Sequence, residues 1–371
     1  MIRLTVPALG EEEFKAVERV LKSGYLVQGK EAAAFEEELA SYLGCAQAIL
    51  VSSGTAALHL SLIGLGIGRG DAVIIPDFTF PATANCVELT GALPLLCDVD
   101  STTYNLTPEG IAKAIRQFSG PQTIKAVMVV HEFGCPAEMD RIMETAGQFG
   151  LMVIEDAACA LGAQWWEKKI GTWGRCGCFS FHPRKTITTG EGGAIATDDA
   201  ALAERIRSLR NHGIASGPKG NRFVMPGYNY RLTEFQAALG RTQLPRLDRF
   251  IDMRRDLQGI YRQNLQAAGI QFPPDIPGHV WQTLMVIVPQ PMNRGTLMER
   301  MRTEEIETGI GAHCIHDLPY YKNTYPVQAD ELGDNVSHHL FTQGLALPLY
   351  QGLSEHDVQR VCAALIKHMQ W

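Results

Sequence analysis

The sequence lacks any long hydrophobic run and has no excess of positive charge. Its 371 residues contain no run of about 18 or more apolar residues, so no membrane span is predicted. The formal net charge of -7 gives no electrostatic case for nucleic-acid binding, which usually requires a basic surface. Residues 1–7 lack the charged and then apolar layout of a signal peptide. We therefore expect a cytoplasmic protein that binds neither membranes nor nucleic acid.

Cysteine is present, but not in the pattern of a disulfide framework or a metal site. The nine cysteines are scattered and odd in number, unlike those of a small disulfide-rich domain. Cys176 and Cys178 are too close for an ordinary two-pair zinc site, and no second pair accompanies them. His313 and His316 form a His-x-x-His pair without a matching carboxylate or cysteine framework nearby. We expect reduced thiols and no metal.

Short apolar, β-branched runs alternate with longer segments at helical spacing. Strands are predicted at residues 72–75, 94–97, 126–130, 151–154, 178–181 and 194–197, and helices between them, such as 56–64 and 139–147. Nearly continuous apolar strands separated by helices indicate a mostly parallel sheet that is covered on both faces. The predicted fold class is therefore α/β, with ligands bound outside the strand ends.

The character of the sequence changes after residue 233. A long helical stretch at 233–264 carries many charges and is followed by a proline-rich interruption. A strand at 283–288 and helices at 295–309 and 354–369 come next. This order predicts a large domain at residues 1–245 and a smaller α+β domain at 246–371, although the N-terminal segment could pack elsewhere.

The first motif with chemical content is residues 52–58, SSGTAAL, which follow an apolar run and open a helical pattern. Small residues such as Gly54 let the backbone approach a ligand, and the N–H groups of a first helical turn favour an anion. An ordinary Ser or Thr N-cap explains the same residues. The motif alone leaves both interpretations open.

A carboxylate pair, Glu155 and Asp156, directly follows the apolar run at 151–154. A carboxylate at the end of an internal strand is costly to bury unless it meets a cation, several donors or an ionised ligand. The protonated ring nitrogen of pyridoxal phosphate (PLP) is one such partner. N-capping of a following helix is the alternative.

Lys185 lies in a proline-bent loop after a predicted strand that contains Ser180, and a glycine-rich turn at 188–193 follows. A lysine in a loop is ordinarily solvated. Here, however, an anion loop, a strand-end carboxylate and a later lysine occur in one chain. They match the three demands of PLP, namely to bind its phosphate, hold its ring nitrogen and form an imine with its aldehyde.

Taken in order, these motifs resemble the DegT/DnrJ/EryC1/StrS family of PLP-dependent sugar aminotransferases, within the aspartate-aminotransferase-like type I fold. The resemblance runs nearly end to end. It is carried by residues 23–29 (SGYLVQG), 53–58 (SGTAAL), 76–80 (PDFTF), 155–158 (EDAA), 180–185 (SFHPRK), 210–213 (RNHG), 228–234 (YNYRLTE) and 347–350 (LPLY). Each motif is weak alone, and their common order makes them specific.

The resemblance implies a role for each matching position. Lys185 would hold PLP as a Schiff base and shuttle the proton, and Asp156 would pair with the ring nitrogen. The remaining implied cofactor contacts are Gly54, Thr55 and Ser180 at the phosphate, Phe80 stacked on the ring, Cys159 near the 3-hydroxyl, and Asn229 reaching the phosphate from a neighbouring subunit. The last contact implies a homodimer with shared active sites.

The resemblance also implies the substrates and the residues that bind them. An amino acid, glutamate in this family, would donate the amino group. The acceptor would be a keto sugar, most typically a nucleotide-linked 3- or 4-keto-deoxysugar. Tyr25, Arg231 and His316 occupy positions implied to bind substrate. For Lys185 to act as a base, we expect burial and nearby positive charge to depress its basicity.

Two positions depart from the family pattern. Many members have Gln or His where this chain has Cys159, a weak hydrogen-bond donor. The hydrogen bond that tunes the imine is therefore expected to be missing or supplied elsewhere. Residues 131–134 read HEFG, where the family often has an aliphatic residue or Tyr after the His. Glu132 adds a charge near the expected substrate mouth, so the sugar or its orientation could differ.

Three alternatives share this fold. A PLP-dependent sugar dehydratase has His in place of the lysine, so Lys185 argues against it. A non-catalytic regulatory protein could bind PLP only as a ligand, but the Asp156 and Lys185 pair is intact. An aminotransferase that acts on a keto-cyclitol, or that forms an amino-aromatic precursor, would use the same catalytic core, and the sequence leaves it open.

Overall fold

The computed structural model describes residues 1–217, 220–325, 328 and 331–369. Helices and strands alternate through most of the chain. The helices are α1 (Glu11–Ser23), α2 (Lys30–Leu43), α3 (Gly54–Gly64), α4 (Ala82–Leu89), α5 (Pro108–Gln117), α6 (Met139–Gln148), α7 (Ala200–Arg210), α8 (Glu234–Gln243), α9 (Leu247–Leu265), α10 (Arg294–Thr303), α11 (Pro319–Thr324), α12 (Val336–Gln343) and α13 (Glu355–Met369). The strands are β1 (Gln47–Val51), β2 (Asp71–Pro76), β3 (Phe78–Thr79), β4 (Leu93–Cys97), β5 (Thr123–Val130), β6 (Met152–Asp156), β7 (Gln164–Trp165), β8 (Lys168–Lys169), β9 (Cys176–Ser180), β10 (Gly193–Thr197), β11 (Ile214–Gly217), β12 (Gly220–Phe223), β13 (Leu284–Ile287), β14 (His313–Cys314) and β15 (Gly344–Leu347).

The centre of the molecule is a seven-stranded sheet in the order β1-β10-β9-β6-β5-β2-β4. Strands β4, β2, β5, β6 and β9 pair in parallel, whereas β10 runs antiparallel to both of its neighbours. Separate apolar cores cover the two faces of this sheet. The predicted α/β class with a mostly parallel, doubly covered sheet is therefore confirmed.

The C-terminal part has a third apolar core, built on α9, α10, α13 and the pair β13–β15. Ile2 belongs to this core, so the N-terminal segment does pack against the C-terminal part. The short strand β14 instead pairs with β3 beside the central sheet. The division at residue 245 remains a proposal. In the described part of the chain, no helix is long and apolar enough to cross a membrane.

Two predicted helices differ from the structure. The stretch at 233–264 is divided into α8 and α9 by a 3₁₀ turn at Leu244–Arg246. Pro245 lies in that turn, and proline lacks the N–H group that a continuous α-helix needs. The helix predicted at 295–309 ends as α10 at Thr303, because the chain turns at Glu305, whose φ of 58° is left-handed.

Candidate active site

A cavity of about 580 Å³ lies where β6, β9 and the start of α3 converge, at the strand ends where the α/β fold is expected to bind ligands. Seven residues singled out in the sequence line it: Gly54, Thr55, Phe80, Asp156, Cys159, Ser180 and Lys185. Glu132 lines it as well. The chain thus brings the anion loop, the strand-end carboxylate and the loop lysine into one space.

The turn before α3 packs directly against the end of β9. Ser53 caps the helix, since its side chain accepts a hydrogen bond from the Ala56 N–H at 3.0 Å. A Cβ atom at Gly54 would lie 2.8 Å from the Cβ of Ser180, so a larger residue would collide with that strand. The N-cap is confirmed, and the capped helix start also lines the cavity, so anion binding at this turn stays a prediction.

The two adjacent carboxylates at the end of β6 point to different partners. Asp156 is buried in the cavity wall, where it accepts hydrogen bonds from Thr83 Oγ1 at 2.9 Å and from the Ala158 N–H at 3.1 Å. Burial raises the pKa of Asp156, which the Thr83 hydroxyl partly opposes. Glu155 instead accepts backbone N–H groups, among them that of Gly171 at 2.7 Å. Asp156 is therefore the carboxylate available to a ligand.

Lys185 is held by its loop with its amine inside the cavity. The backbone N–H of Lys185 donates to the carbonyl of His182 at 2.8 Å, and the side-chain Nζ lies 3.0 Å from the sulfur of Cys159. Burial lowers the pKa of Lys185, but the neighbouring Cys159, Asp156 and Glu132 outweigh burial and raise it overall. The predicted depression of its basicity is therefore wrong for the chain by itself, because the near neighbours are acids rather than cations.

Glu132 is buried at the end of β5, in a tight turn. The backbone N–H of Glu132 donates to Asn105 Oδ1 at 2.9 Å. The next two residues, Phe133 and Gly134, have left-handed φ values of 55° and 89°. Burial, followed by the charge of Asp156, raises the pKa of Glu132 to about 8. The side chain thus lies inside the site rather than at its mouth, and burial favours its neutral form.

A buried arginine connects the C-terminal part to the backbone around Lys185. Arg254 on α9 donates to the carbonyl of Gln282 at 2.8 Å and to Gln351 Oε1 at 3.2 Å. The amide of Gln282 in turn donates to the carbonyl of Arg184 at 2.7 Å, and that of Gln351 to the carbonyl of Thr186 at 2.7 Å. We call these three side chains the Arg254 clamp. They hold both neighbours of Lys185.

Three predicted site residues lie on the surface, away from the lining of the cavity. Tyr25 is 81% exposed and Asn229 is exposed, with its backbone bridged to Asn211. Arg231 is half-buried and donates to Asn211 Oδ1 at 2.6 Å. Within one chain, none of them reaches the cavity, so a role for them requires a second subunit.

His316 does not line the cavity either, in contrast to its expected role in substrate binding; His313 lines it instead. The ring of His316 bonds Asp77 Oδ2 at 2.6 Å and the carbonyl of Gly333 at 3.0 Å. Its other near neighbour is the thiol of Cys314, 3.2 Å from Nδ1. The prediction that no carboxylate or cysteine accompanies this histidine is wrong, because folding brings Asp77 to it from the junction between β2 and β3. Both ring nitrogens nevertheless face oxygen acceptors, which suits a protonated ring rather than a metal ligand.

Several residues of the site were missed by the sequence analysis. They are Thr79, Thr83, His182, Arg184, Glu191, Gln282 and His313. Thr79 ends β3 and Thr83 lies in the first turn of α4, so no helical spacing links these two residues in the sequence. Gln282 and His313 come from the C-terminal part, and their approach depends on long-range packing that leaves no local pattern.

Comparisons with known proteins agree with this geometry. The model of the DegT/DnrJ/EryC1/StrS aminotransferase family matches residues 7–366. The crystal structure of DesV from S. venezuelae, in complex with a ketimine intermediate, is 34% identical, with a TM-score of 0.85 and 97% of this chain and 95% of that chain covered. The aminotransferase TlmJ from Streptoalloteichus hindustanus is 32% identical, with a TM-score of 0.89 and coverage of 99% and 98%. Helicobacter pylori PseC, an aminotransferase involved in the biosynthesis of pseudoaminic acid, is 25% identical, with a TM-score of 0.91 and coverage of 99% and 98%. The chain therefore belongs to the DegT/DnrJ/EryC1/StrS aminotransferase family and is a PLP-dependent aminotransferase.

Proposed function

We propose that this aminotransferase moves the amino group of glutamate to a keto sugar, a nucleotide-linked 3- or 4-keto-deoxysugar, in amino-sugar biosynthesis. The observation that carries the proposal is the placement of Lys185 and Asp156 in one cavity with the α3 turn. The family and the similarity to PseC, an aminotransferase involved in the biosynthesis of pseudoaminic acid, support the acceptor class. A cytoplasmic location is part of the same proposal.

The residues of the cavity fit PLP. Asp156 is a buried carboxylate suited to a protonated ring nitrogen, and Lys185 presents an amine to the aldehyde. Gly54, Thr55 and Ser180 form a close-packed cradle at a helix N-terminus, which suits a phosphate. When bound, PLP supplies an electron-accepting ring that stabilises negative charge on the carbon being deprotonated.

Lys185 is the residue that moves the proton in this proposal. Once an amino donor has displaced it, its amine is free and could take a proton from the donor carbon and return it to the carbon on the other side of the amino nitrogen. The acids around Lys185 favour its charged form, so a bound ring nitrogen that engages Asp156 removes one of the influences that raise the pKa of Lys185.

The cavity extends beyond the proposed cofactor contacts to a region that suits the substrates. Arg184 and His313 line this region together with the backbone of residues 309–312. A guanidinium can bind the carboxylate of glutamate, and a histidine can bind the hydroxyls or phosphates of the acceptor. Glutamate and the acceptor would occupy this region in turn.

The test compares Lys185→Ala with Lys113→Ala, which changes an exposed lysine on α5. Lys185→Ala is expected to abolish the visible absorption band of lysine-bound PLP and to reduce turnover by several orders of magnitude, whereas Lys113→Ala retains both. The wild-type enzyme in its pyridoxamine phosphate form is then mixed, in separate reactions, with nucleotide keto sugars and with free keto-cyclitols. Recovery of the band with a keto-cyclitol alone would replace the proposed acceptor. Recovery with no ketone would favour the regulatory alternative.

We also propose a homodimer with shared active sites. Tyr25 and Asn229, which do not reach the cavity of their own chain, both lie beside exposed apolar side chains. Val27 is 66% exposed near Tyr25, and Phe223 is 77% exposed on the β11–β12 hairpin that precedes Asn229. Exposed apolar side chains of this kind often mark a protein interface.

A further inference from the structure

The peptide group that precedes Lys185 is held at both of its polar ends. The backbone N–H of Lys185 donates to the carbonyl of His182 at 2.8 Å, and the carbonyl of Arg184 accepts from the side-chain amide of Gln282 at 2.7 Å. A peptide group is planar, so two bonds on its opposite edges fix its orientation. They therefore also restrict the direction in which the side chain of Lys185 leaves the backbone.

The carbonyl of Thr186, on the other side of Lys185, is held in the same way. It accepts from the side-chain amide of Gln351 at 2.7 Å, and Thr186 is buried, so water is not a ready substitute. Further along the loop, Gln243 on α8 bonds both backbone groups of Thr188, at 3.0 and 2.7 Å. The two supports next to the lysine come from the C-terminal part instead.

A glutamine amide can hold a carbonyl only when its NH₂ group, rather than its oxygen, faces that carbonyl. The oxygen of Gln282 accepts from Thr283 Oγ1 at 3.0 Å, and the oxygen of Gln351 accepts from Arg254 Nη2 at 3.2 Å. A guanidinium only donates, so a reversed Gln351 would place two donors together and two oxygens together. Arg254 thus selects the orientation in which Gln351 donates to Thr186.

Arg254 also joins the two backbone segments that carry these glutamines. Its Nη1 donates to the carbonyls of Trp281 and Gln282 at 3.3 and 2.8 Å, and to that of Leu349 at 3.0 Å. The two segments are distant in sequence, and Gln351 lies on the second. Burying a cation is costly, and an apolar residue often fills such a space at a lower cost. What the arginine adds is the link between the two segments.

We propose that Arg254 is a positioning residue for the amino transfer, because it orients two glutamine amides that keep the amine of Lys185 where it moves the proton. The inference rests on the proposed function of Lys185. Arg254 is not among the described residues that line the cavity, so it acts through Gln282 and Gln351. A misplacement of reacting groups by about 1 Å can cost about a hundredfold in rate. A loosened loop should therefore slow proton transfer more than it weakens glutamate binding.

The experiment follows the decay of the absorption band of the PLP-loaded protein after mixing with glutamate, with hydrogen or deuterium on the carbon that loses the proton. Gln351→Leu removes the amide. Gln351→Glu keeps the size and a partner for Arg254, but its carboxylate donates nothing to Thr186. We expect both variants to lower the limiting rate by about ten- to one-hundredfold, with a larger isotope effect than wild type and a half-saturating glutamate concentration within about twofold.

The matched control is Gln258→Leu, which removes a buried amide on α9, one turn from Arg254, that is not part of the clamp. It should keep the rate of wild type. Arg254→Lys keeps the charge but has one nitrogen in place of the fork that joins the two segments. Combined with Gln351→Leu, it should slow the reaction by less than the product of the separate effects, because both changes act on one set of contacts.

A second measurement requires no reaction. Hydrogen exchange of residues 181–189, followed by mass spectrometry with and without PLP, reports how firmly the loop is held. Exchange in this segment should be about five- to tenfold faster in both Gln351 variants, the effect of one lost hydrogen bond, and unchanged in Gln258→Leu.

Each outcome bears on the proposal. A wild-type limiting rate in both Gln351 variants overturns it, as does a lowered rate with an unchanged isotope effect or unchanged exchange of the loop. An equal loss in Gln258→Leu, or fully multiplicative effects of Arg254→Lys and Gln351→Leu, also overturns it. If Gln351→Leu or Arg254→Lys does not fold, Gln351→Glu decides. A wild-type band that does not decay with glutamate would instead contradict the proposed function.

Discussion

Asp156 depends on its neighbours to keep a charge in a buried position. A carboxylate away from water is costly unless donors surround it, and burial does raise the pKa of Asp156. Thr83 supplies the side-chain donor, and the Ala158 N–H supplies a backbone donor. In the proposed function, the hydroxyl of Thr83 would therefore help Asp156 to stay ionised and to pair with a protonated ring nitrogen.

Replacing Thr83 with valine removes this donor and keeps the shape of the side chain. We expect Thr83→Val to weaken PLP binding by about tenfold, which corresponds to one hydrogen bond to a charged group. Equilibrium titration with PLP, followed by absorbance, measures the change. Thr90→Val at the end of the same helix is the matched control, because the Thr90 hydroxyl bonds local backbone groups: it donates to the carbonyl of Val87 and accepts from the N–H of Ala92. Equal affinities for the two variants would contradict the role of Thr83.

At the residue scale, the sequence predicts the side chains whose motifs are local. Gly54, Asp156 and Lys185 line the cavity as expected, because each belongs to a short segment beside a strand or a helix start. The raised pKa values of Glu132 and Lys185 follow from burial and from groups on four different segments. Contacts between segments that are distant in sequence leave no local pattern. The sequence therefore predicted Glu132 at the substrate mouth and a lowered pKa for Lys185, in the wrong direction.

At the scale of elements, the short strand β14 is docked on β3 by a buried pair, His316 and Asp77. The Asp77 carboxylate accepts from the backbone and the ring of His316, and from Asn335 Nδ2 at 3.1 Å. Burial lowers the pKa of His316, but the hydrogen bond and charge of Asp77, with the charge of Asp317, raise it overall. The pair therefore joins two segments that are distant in sequence.

This pair predicts a pH dependence of stability. Since the pKa of His316 is raised above 6.5 in the folded chain, its stabilisation is fully present below pH 6.5 and is lost as the pH rises through the folded value. We expect the melting temperature of wild type to fall more steeply than that of His316→Asn between about pH 6 and about pH 9. Calorimetry at several pH values measures it, with His356→Asn, at an exposed position on α13, as control. Parallel curves for wild type and His316→Asn would contradict it.

The long apolar strands and periodic helices were predictable, and the shorter elements were not. The six strands predicted before residue 233 all correspond to strands of the central sheet, and the one predicted at 283–288 corresponds to β13, since apolar composition alone favours burial. The two-residue strands β3 and β14 exist because they pair with each other. The break between α8 and α9 had a visible cause in Pro245, which the sequence analysis left inside its long helix.

At the scale of the whole molecule, the proposed dimer makes a prediction about mixed subunits. If Asn229 acts in the partner's site, a mixed dimer of Lys185→Ala and Asn229→Ala has one intact site. The dimers of the two variants are dissociated, mixed in equal amounts and allowed to reassociate. Random pairing makes about half of the dimers mixed, each with one of its two sites intact, so about a quarter of wild-type activity should return. Steady-state turnover measures it.

A second mixture provides the control for this experiment. Lys185→Ala mixed with Thr83→Val should restore nothing beyond the sum of the two, because Thr83 acts in the site of its own chain. Recovery in both mixtures, or in neither, would contradict a site shared through Asn229.

The division of the chain was predictable only in outline. A change in character after residue 233 is visible in the sequence, and a separate apolar core does follow. That core includes Ile2, and β14 pairs with β3. These contacts join segments that are far apart in sequence and form only when the chain folds. A domain boundary drawn at one residue number therefore does not include them.

The Arg254 clamp has a consequence for recombining this chain with its relatives. Arg254 is 1% exposed, burial lowers its pKa to about 10, and among the described residues it bonds carbonyl and amide oxygens rather than a carboxylate. A chimera that joins residues 1–245 to a foreign C-terminal half would keep Lys185 but inherit another protein's supports for it. Grafting Arg254, Gln282 and Gln351 together should matter more to such a hybrid than the choice of crossover point.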